Sequence, residues 1–265
     1  MKKAVISLND NEIEISNSDR VLFITGAGIS VASGLPTYRG EGGLYTNKKG
    51  KIEHLLSAFN MDKRPGVIWD VISPLLKGYE SYKPNIAHTQ IAQIQKLVKD
   101  SCVFTQQVDN LHQKAGSENV IDIHGNLSVV YCKNCINVRG IKHGYIPISD
   151  IDLNVKTKRN APACSFCKSD LRPNIVPFNG MLDMEKIYQL EDFLREPVSH
   201  VFVIGTSLQF PYMEEPIRGC HKAYNAKIIY VEPSDAFDVL SQTNIPHYRA
   251  KMTSSEFFEN CLRFE

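Results

Sequence analysis

Two CxxC pairs form the most specific chemical pattern in this sequence. Cys132 and Cys135 make the first pair, Cys164 and Cys167 make the second, and residues 136–163 lie between them. Four thiolates supplied in this way can surround Zn²⁺ as a tetrahedron, with sulfur–zinc distances of about 2.3 Å. Since no open ligand position is indicated, the spacing predicts a structural zinc site. The alternative is that the two pairs are unrelated and serve in redox chemistry.

A second group of reactive residue types follows an apolar run in "VFTQQVDNLH", residues 103–112. The apolar start is typical of a buried strand, yet two amides, an acid and a histidine follow within a few positions. Amides and carboxylates are costly to bury unless they form hydrogen bonds. The pattern therefore indicates that Gln106, Gln107 and Asp109 have polar partners at the end of a strand.

A glycine-rich turn follows another apolar strand. In "TGAGIS", residues 25–30, Gly26 and Gly28 allow a tight turn and a close backbone approach to phosphate. The pattern differs from the dehydrogenase fingerprint, because Val31 stands where a third glycine is expected and no strand ending in an acid follows about 20 residues later. The turn is therefore typical of a dinucleotide site of another kind.

Four apolar strands are predicted to position these residues. They end at Thr25-Gly26, Gln106, Gly205-Thr206 and Glu232. Near-continuous apolar strands are typical of a parallel α/β sheet that is buried on both faces. Ligands of such sheets bind beyond the carboxyl ends of the strands. We therefore expect the four strand ends to converge on one cleft.

Composition describes an ordinary globular protein of 265 residues, with 43% hydrophobic and 22% charged residues. Lysine and arginine number 30 against 29 aspartate and glutamate, so the net charge of +1 gives no sign of nucleic-acid backbone binding. No apolar run approaches the roughly 18 residues that span a bilayer, and the first residues lack the pattern of a signal peptide. The expected location is therefore the cytoplasm, where the seven cysteines would be free or metal-bound.

Together these segments resemble the sirtuins, a family of zinc-containing, NAD-dependent protein-lysine deacylases. The matching segments occur in family order over nearly the whole chain. Besides the cysteine pairs, they are "GAGISVASGLPTYRG", "TQQVDNLHQKAG", "DIHGNL", "LRPNIVPFNG" and "GTSLQFPY", beginning at residues 26, 105, 122, 171 and 205. The resemblance implies an α/β fold, in which a Rossmann-like parallel-sheet domain binds NAD and a smaller zinc-binding and helical domain completes the cleft.

The resemblance also implies the domain boundaries. The Rossmann-like domain would comprise residues 1–38, 86–128 and 173–265. The small domain would comprise residues 39–85, a helical insertion, and residues 129–172, the zinc module. Apolar spacing predicts a helix over residues 87–99 and loose helical structure over 52–77, which Pro65 and Pro74 are expected to interrupt.

The resemblance implies a role for each matching residue. His124 would be the general base, and Gln107, where the family has Asn, would position water and the ribose. The residues implied to bind NAD are Gly26, Ala27 and Gly28 at the pyrophosphate, Tyr38 and Arg39 on a closing loop, Gln106 and Asp109 at the nicotinamide side, and Gly205, Thr206 and Ser207 at the adenosine side. The residues implied to pair with the substrate peptide as an added strand are Val176, Pro177 and Phe178.

In the implied reaction, nicotinamide leaves as the acyl oxygen attacks the ribose carbon, and His124 then takes a proton from a ribose hydroxyl. A histidine pKa near neutrality would suit that step. His112 belongs to a matching segment, but we interpret it as structural. Two further departures are Asn179-Gly180 in place of Gly-Glu, and Tyr230 in place of an Asn that helps hold the adenosine ribose.

The leading function is therefore NAD-dependent protein-lysine deacylation, with acyl-lysine proteins or peptides as partners and no membrane or nucleic acid. ADP-ribosyl transfer or NAD hydrolysis at the same site is an alternative, and so is a non-catalytic NAD-sensing module, which would better fit a chain without His124. Relatives that prefer succinyl-lysine carry a Tyr and an Arg where Ile72 and Leu75 stand here. Acetyl or longer apolar acyl groups should therefore be preferred over succinyl.

Overall fold

The computed structural model describes residues 2–37, 51–76, 81–234 and 239–265. The centre of the fold is a six-stranded sheet in which every neighbouring pair of strands is parallel. Its strands are β3 (Arg20–Thr25), β4 (Asp100–Thr105), β5 (Val120–Asp122), β9 (His200–Ile204), β10 (Lys227–Val231) and β11 (Tyr248–Ala250). Their order across the sheet is β11-β10-β9-β3-β4-β5.

The four apolar strands of the sequence prediction are the four central neighbours of this sheet. All residues of β3 and β9 are buried, as expected for strands covered on both faces. Thr25, the last residue of β3, lies beside Thr105 of β4 and Ile204 of β9. The turns that follow these strands therefore begin at the same edge, which confirms the predicted α/β fold class.

Helices cover both faces of the sheet. They are α4 (Ile86–Leu97), α7 (Met184–Phe193), α8 (Pro211–Tyr224) and α10 (Ser254–Asn260). Side chains alternate along β3, so Phe23 packs in one apolar core with α4 and α10, while Ile24 packs in the other with α7 and α8. The predicted helix over residues 87–99 corresponds to α4, which Asn85 caps at its N-terminus.

A small antiparallel sheet, absent from the sequence prediction, packs onto the same core. It consists of β1 (Lys3–Leu8), β2 (Asn11–Ser16) and β12 (Leu262–Phe264), with β1 in the middle. Asn9, at φ 53°, turns the chain between β1 and β2. The two ends of the chain are therefore joined in one sheet.

The remaining part of the fold combines short helices with an antiparallel sheet around the cysteine pairs. Its helices and strands are α1 (Lys51–Leu55), α2 (Ala58–Lys63), α3 (Pro65–Leu76), β6 (Gly125–Tyr131), α6 (Lys133–Arg139), β7 (Tyr145–Pro147) and β8 (Arg172–Ile175). Trp69 of α3 donates a hydrogen bond to the carbonyl of Leu171 at 2.8 Å, which ties the helical insertion to the zinc module. Pro65 begins α3, where its missing N–H is tolerated, and Pro74 lies inside the helix without ending it.

The implied division into two domains stays a prediction, and two of its boundaries, at residues 128/129 and 172/173, fall inside β6 and β8. Short helical elements complete the described chain. They are α5 (Leu111–Lys114), α9 (Val239–Gln242) and 3₁₀ helices at Ala27–Ser33, Ile141–His143 and Ile148–Asp150. Within the described residues, no helix is both long enough and apolar enough to cross a membrane.

Candidate active site

One large cavity of about 1070 Å³ opens at the carboxyl edge of the parallel sheet, with α1 and α3 on its opposite side. Eleven of the residues that the sequence singled out line its wall. They are Ala27, Gly28, Gln106, Gln107, His124, Val176, Pro177, Phe178, Gly205, Thr206 and Ser207. Gly26 and Asp109 lie behind this wall, whereas Tyr38 and Arg39 lie outside the described residues.

The floor of the cavity is formed by two turns in close contact. The Gly28 N–H donates to the carbonyl of Gly205 at 2.9 Å, and the Gly26 N–H donates to the carbonyl of Ile204 at 3.1 Å. A Cβ atom on Gly28 would lie 2.6 Å from the Cα atom of Gly205, and one on Gly26 would lie 2.7 Å from Cβ of Thr206. The structure thus explains both glycines by the approach of one turn to the other, and contact with phosphate stays a prediction.

Gln106 connects the end of β4 to the turn after β9. Its side-chain oxygen accepts a hydrogen bond from the hydroxyl of Thr206 at 3.1 Å. That hydroxyl in turn accepts from the Leu208 N–H at 3.3 Å. Because the amide oxygen of Gln106 is engaged in this way, the amide nitrogen is the side-chain atom of Gln106 that is left to donate.

Asp109 is the centre of a buried polar network behind the cavity wall. One carboxylate oxygen accepts from the Ser30 hydroxyl at 2.6 Å and from the Gln107 amide nitrogen at 2.7 Å, and the other accepts from the Leu111 N–H at 3.0 Å. The side-chain oxygen of Gln107 has no hydrogen-bond partner among the described residues, although Gln107 is only 7% exposed. A buried acceptor without a donor is costly, so this oxygen is suited to an N–H or O–H group of a ligand.

His124 follows β5 and presents its ring to the cavity. Its Nε2 atom lies 2.6 Å from the hydroxyl of Tyr212. Burial lowers the pKa of His124 to about 4, a hydrogen bond with the Gln106 backbone opposes this shift, and the positive charge of Lys186 adds to it. Burial of the imidazole therefore places the pKa of His124 below neutrality in this structure. His124 is neutral at pH 7 and can accept a proton.

The backbone around His124 is held on both sides. The Lys186 ammonium donates to the Asp122 carbonyl at 2.7 Å and forms a salt bridge with the Asp122 carboxylate. Gly125 has φ +90°, and a Cβ atom there would lie 2.2 Å from the carbonyl oxygen of Asn174. A side chain at position 125 would therefore displace the neighbouring strand, and with it the position of His124.

The four cysteines of the CxxC pairs form one cluster. Their sulfur atoms all lie within 4.8 Å of one another. The distances are 3.4 Å between Cys132 and Cys167, 3.6 Å between Cys135 and Cys167, and 3.8 Å between Cys135 and Cys164. A tetrahedron with sulfur–zinc distances of about 2.3 Å has edges of about 3.8 Å. The cluster therefore fits Zn²⁺, and the alternative of two unrelated pairs is wrong.

Comparison with known proteins identifies the family. The model of the Sir2 family matches residues 26–211. The chain belongs to the Sir2 family. A similar protein is NAD-dependent protein deacylase 2 of Pseudomonas syringae pv. tomato, 36% identical over 251 residues that cover 91% of this chain and 96% of the relative. Another is the NAD-dependent protein deacetylase of Staphylococcus epidermidis, 34% identical over 198 residues that cover 73% and 74% of the two chains.

Solved Sir2 structures share this fold. A complex of Sir2 with a p53 peptide and NAD⁺ superposes with a TM-score of 0.70 at 26% identity, covering 91% of this chain and 90% of the other. Sir2Tm bound to a propionylated peptide gives a TM-score of 0.70 at 25% identity, with the same coverage. The Rossmann-like sheet beside a four-cysteine module is therefore the Sir2 architecture.

In this Sir2 chain, the implied substrate strand is already partly paired. The Val176 N–H donates to the carbonyl of His124, the Phe178 N–H donates to the carbonyl of Leu56, and the Phe178 carbonyl accepts from the Ala58 N–H, each at 2.8 Å. An added strand along residues 176–178 would have to use the main-chain groups that remain. The pairing with a substrate peptide stays a prediction.

Two singled-out residues are structural in this Sir2 fold. His112 is 1% exposed, its Nε2 atom lies 3.0 Å from the hydroxyl of Thr25, and its ring packs edge-on against His88. Tyr230 is fully buried beneath the turn of Thr206, with its hydroxyl 3.5 Å from that residue's carbonyl oxygen. Side chains alternate along a strand, so Tyr230 points into the core while Val231 lines the cavity.

Sequence reasoning assigned no role to Phe210 and Tyr212, which line the cavity beside His124. Their rings are stacked, with centroids 5.5 Å apart. Both residues stand in the matching segment "GTSLQFPY", but their types alone carry no catalytic signal. Only the position of His124 relative to the start of α8 identifies them.

Proposed function

We propose that this protein is an NAD-dependent protein-lysine deacylase that releases nicotinamide and transfers the acyl group to ADP-ribose. One observation carries the proposal. A neutral histidine, His124, lines the same cavity as Gln107, whose buried amide oxygen has no hydrogen-bond partner among the described residues. The first can take a proton, and the second can accept a hydrogen bond from the substrate that must be held beside it.

The residues of the cavity fit NAD. The two packed turns at Gly28 and Gly205 offer a floor without side chains, and the amide oxygen of Gln107 offers an acceptor for a carboxamide or a hydroxyl. Gln106, held by Thr206, would keep its amide toward the same space. Bound NAD would supply a ribose carbon with nicotinamide as its leaving group, together with hydroxyl groups that receive the acyl chain. Asp109 would position Gln107 rather than contact the dinucleotide directly.

The partners that we propose are acylated lysine side chains of proteins or peptides. The cavity wall opposite the sheet is largely apolar, with Leu55, Val71, Ile72, Val108 and Leu127 beside Asp70. Such a wall favours the burial of an uncharged acyl group over that of a charged one. The named relatives, a deacylase and a deacetylase, act on the same kind of bond.

The four-cysteine cluster would hold zinc for structural reasons. Cys132, Cys135 and Cys164 are buried, and they pack in one apolar cluster with Trp69 of α3. With four protein thiolates, the ion would have no position left for a substrate. The metal would therefore support the module against which α3, a part of the far wall of the cavity, packs through Trp69.

The deciding experiment is a product analysis by mass spectrometry. The protein is incubated with NAD and an acetyl-lysine peptide, and we expect nicotinamide, deacetylated peptide and O-acetyl-ADP-ribose in equal amounts. The matched control is the same peptide with unmodified lysine, which should give no nicotinamide. Nicotinamide release that ignores the acetyl group would instead identify an NAD hydrolase, and transfer of ADP-ribose to the peptide would identify a transferase.

A further inference from the structure

The hydroxyl of Tyr212 lies against Nε2 of His124, the atom through which this histidine would accept a proton. The Nε2 atom of His124 lies 2.6 Å from the Tyr212 hydroxyl. The Gln106 backbone also acts on the ring and raises its pKa against the effect of burial. Since the Gln106 N–H donates to the Thr25 carbonyl, the Gln106 carbonyl is the backbone group left to accept from the ring. A neutral imidazole has one donor and one acceptor nitrogen. The ring therefore donates to Gln106, and Nε2 accepts from Tyr212.

The direction of this hydrogen bond follows from the neighbours of Tyr212. Burial raises the pKa of Tyr212, and an interaction with the Gln106 side chain opposes this shift. Because the Gln106 oxygen accepts from Thr206, the amide nitrogen is the Gln106 side-chain atom left to donate to the phenol oxygen. The phenol oxygen thus receives a hydrogen bond from Gln106, and its own proton points to His124. Gln106 therefore acts on both residues of the pair: its backbone interacts with His124 and its side chain interacts with Tyr212.

The Tyr212 ring is seated in the fold. It lies in the first turn of α8, packs against the apolar core on that face of the sheet, and stacks on Phe210 with an angle of 18° between the ring planes. Moving the ring away from His124 would break these contacts. A substrate hydroxyl therefore reaches His124 at less cost through Tyr212 than by displacing it.

We propose that Tyr212 is a proton relay for His124: the phenol oxygen takes the proton of a substrate hydroxyl while the phenol proton passes to Nε2. One O–H bond breaks on the substrate and one forms on Tyr212, while the original O–H bond of Tyr212 breaks and an N–H bond forms on His124. The substrate oxygen becomes the nucleophile, and the imidazolium carries the proton. This relay rests on the proposed deacylase function.

The test is Tyr212→Phe, which keeps the ring and removes only the hydroxyl. We expect kcat for deacylation to fall on the order of 10²-fold, because a positioned proton-transfer group contributes at least that much. Exchange of labelled nicotinamide into NAD precedes the proton step and should persist. Tyr188→Phe is the matched control, since Tyr188 is 61% exposed on α7, and it should change neither reaction.

A second measurement uses the protein without NAD. With histidines labelled for NMR, the pKa of His124 should rise by about one unit in Tyr212→Phe, because a donor that competes for Nε2 is removed. The ammonium of Lys186, whose charge lowers the pKa of His124, is unchanged by this substitution.

Each outcome decides the matter. Slow deacylation with retained exchange and a raised His124 pKa supports the relay. Undiminished or faster deacylation shows that Tyr212 merely stands in front of His124, and joint loss of deacylation and exchange shows a structural role, so both overturn it. A wild-type protein that releases no nicotinamide overturns the proposed function itself. If the wild-type protein deacylates and only the Tyr212→Phe result contradicts the expectation, the relay alone is overturned.

Discussion

The cysteine cluster and the His124 cavity differ in how their polar groups are satisfied. The cluster collects four identical ligands from two short segments, and its sulfur atoms lie at distances that suit zinc. The cavity collects different side chains from positions 27 to 255, and some of their polar groups hydrogen-bond to one another, as His124 does with Tyr212 and Gln106 with Thr206. Among these lining residues, the side-chain oxygens of Gln107 and Ser255 are buried and have no hydrogen-bond partner among the described residues. A structural site is closed by its own ligands, whereas a reactive site leaves a group for the substrate.

The largest effect is expected at the cysteine cluster. Cys132→Ala should remove the metal and unfold the protein at room temperature, because structural zinc sites contribute on the order of 10 kcal/mol of folding free energy. Elemental analysis should find about one zinc per wild-type chain. Cys261→Ala, at a buried thiol outside the cluster, is the control and should retain zinc. A folded, active and metal-free Cys132→Ala protein would refute the zinc prediction.

In the cavity, His124→Ala should lower the rate of acyl transfer by roughly 10²–10⁴-fold, because it removes the positioned base. Binding of NAD, measured by calorimetry, should remain largely intact, since the packed turns and Gln107 are untouched. His54→Ala, at an exposed position on α1, is the matched control and should retain activity. An undiminished rate in His124→Ala would show that the base is another group.

The apolar wall of the cavity should discriminate between acyl groups. No Lys or Arg occurs among the described residues that line it, and Ile72 is 2% exposed in that wall; the side chain of Leu75 is outside what the structure describes. An unpaired carboxylate is costly to bury there, so kcat/KM for succinyl-lysine should be on the order of 10²-fold below that for acetyl-lysine. Peptides that differ only in the acyl group test this, and a higher value for succinyl would contradict it.

Buried histidines should make stability depend on pH. Burial lowers the pKa of His88, His124 and His200 to about 4, and it lowers that of His112 well below its usual value. The unfolded chain binds these protons near pH 6.5 and the folded chain does not, so stability is complete above about 6.5 and falls toward pH 4. Each histidine contributes about 1.4 kcal/mol per pH unit within that window.

Urea unfolding between about pH 7.5 and 5 measures this slope. His200→Gln should reduce the slope, because it removes one buried titrating group, whereas His143→Gln, at an exposed position, should not. Zinc content is measured at each pH, so that loss of the metal is not mistaken for protonation. A free energy of unfolding that stays constant over this range would contradict the expectation.

The smallest effect is expected at Gln107, whose side-chain oxygen has no partner within the part of the chain that the structure describes. Gln107→Asn keeps the amide on a stem one methylene shorter, and we expect deacetylation to change by less than about tenfold, or 1.4 kcal/mol of barrier. Gln107→Ala removes the amide and should lower kcat much more than it weakens NAD binding. Steady-state kinetics together with NAD titration separate the two. A hundredfold gain in Gln107→Asn would mean that deacetylation is not the natural reaction.

Local patterns predicted much of the fold. Continuous apolar strands imply a parallel sheet, and parallel strands bring their carboxyl ends to one edge, so the convergence of Gly28, Gln106 and Gly205 could be expected. The zinc cluster could be predicted because its ligands are pairs at fixed short spacing. The sheet formed by β1, β2 and β12 could not, since β12 comes from the other end of the chain and its pairing leaves no local pattern.

The sequence by itself determined which residue types stand at the strand ends and that four cysteines come in two pairs. Only the tertiary structure decided that Asp109 accepts from the Gln107 amide, that burial lowers the pKa of His124, and that the Tyr212 hydroxyl lies beside its Nε2 atom. Spacing and periodicity depend only on the order of residues along the chain. Burial and the direction of a hydrogen bond depend on neighbours such as His124 and Tyr212, which meet only when the core has packed.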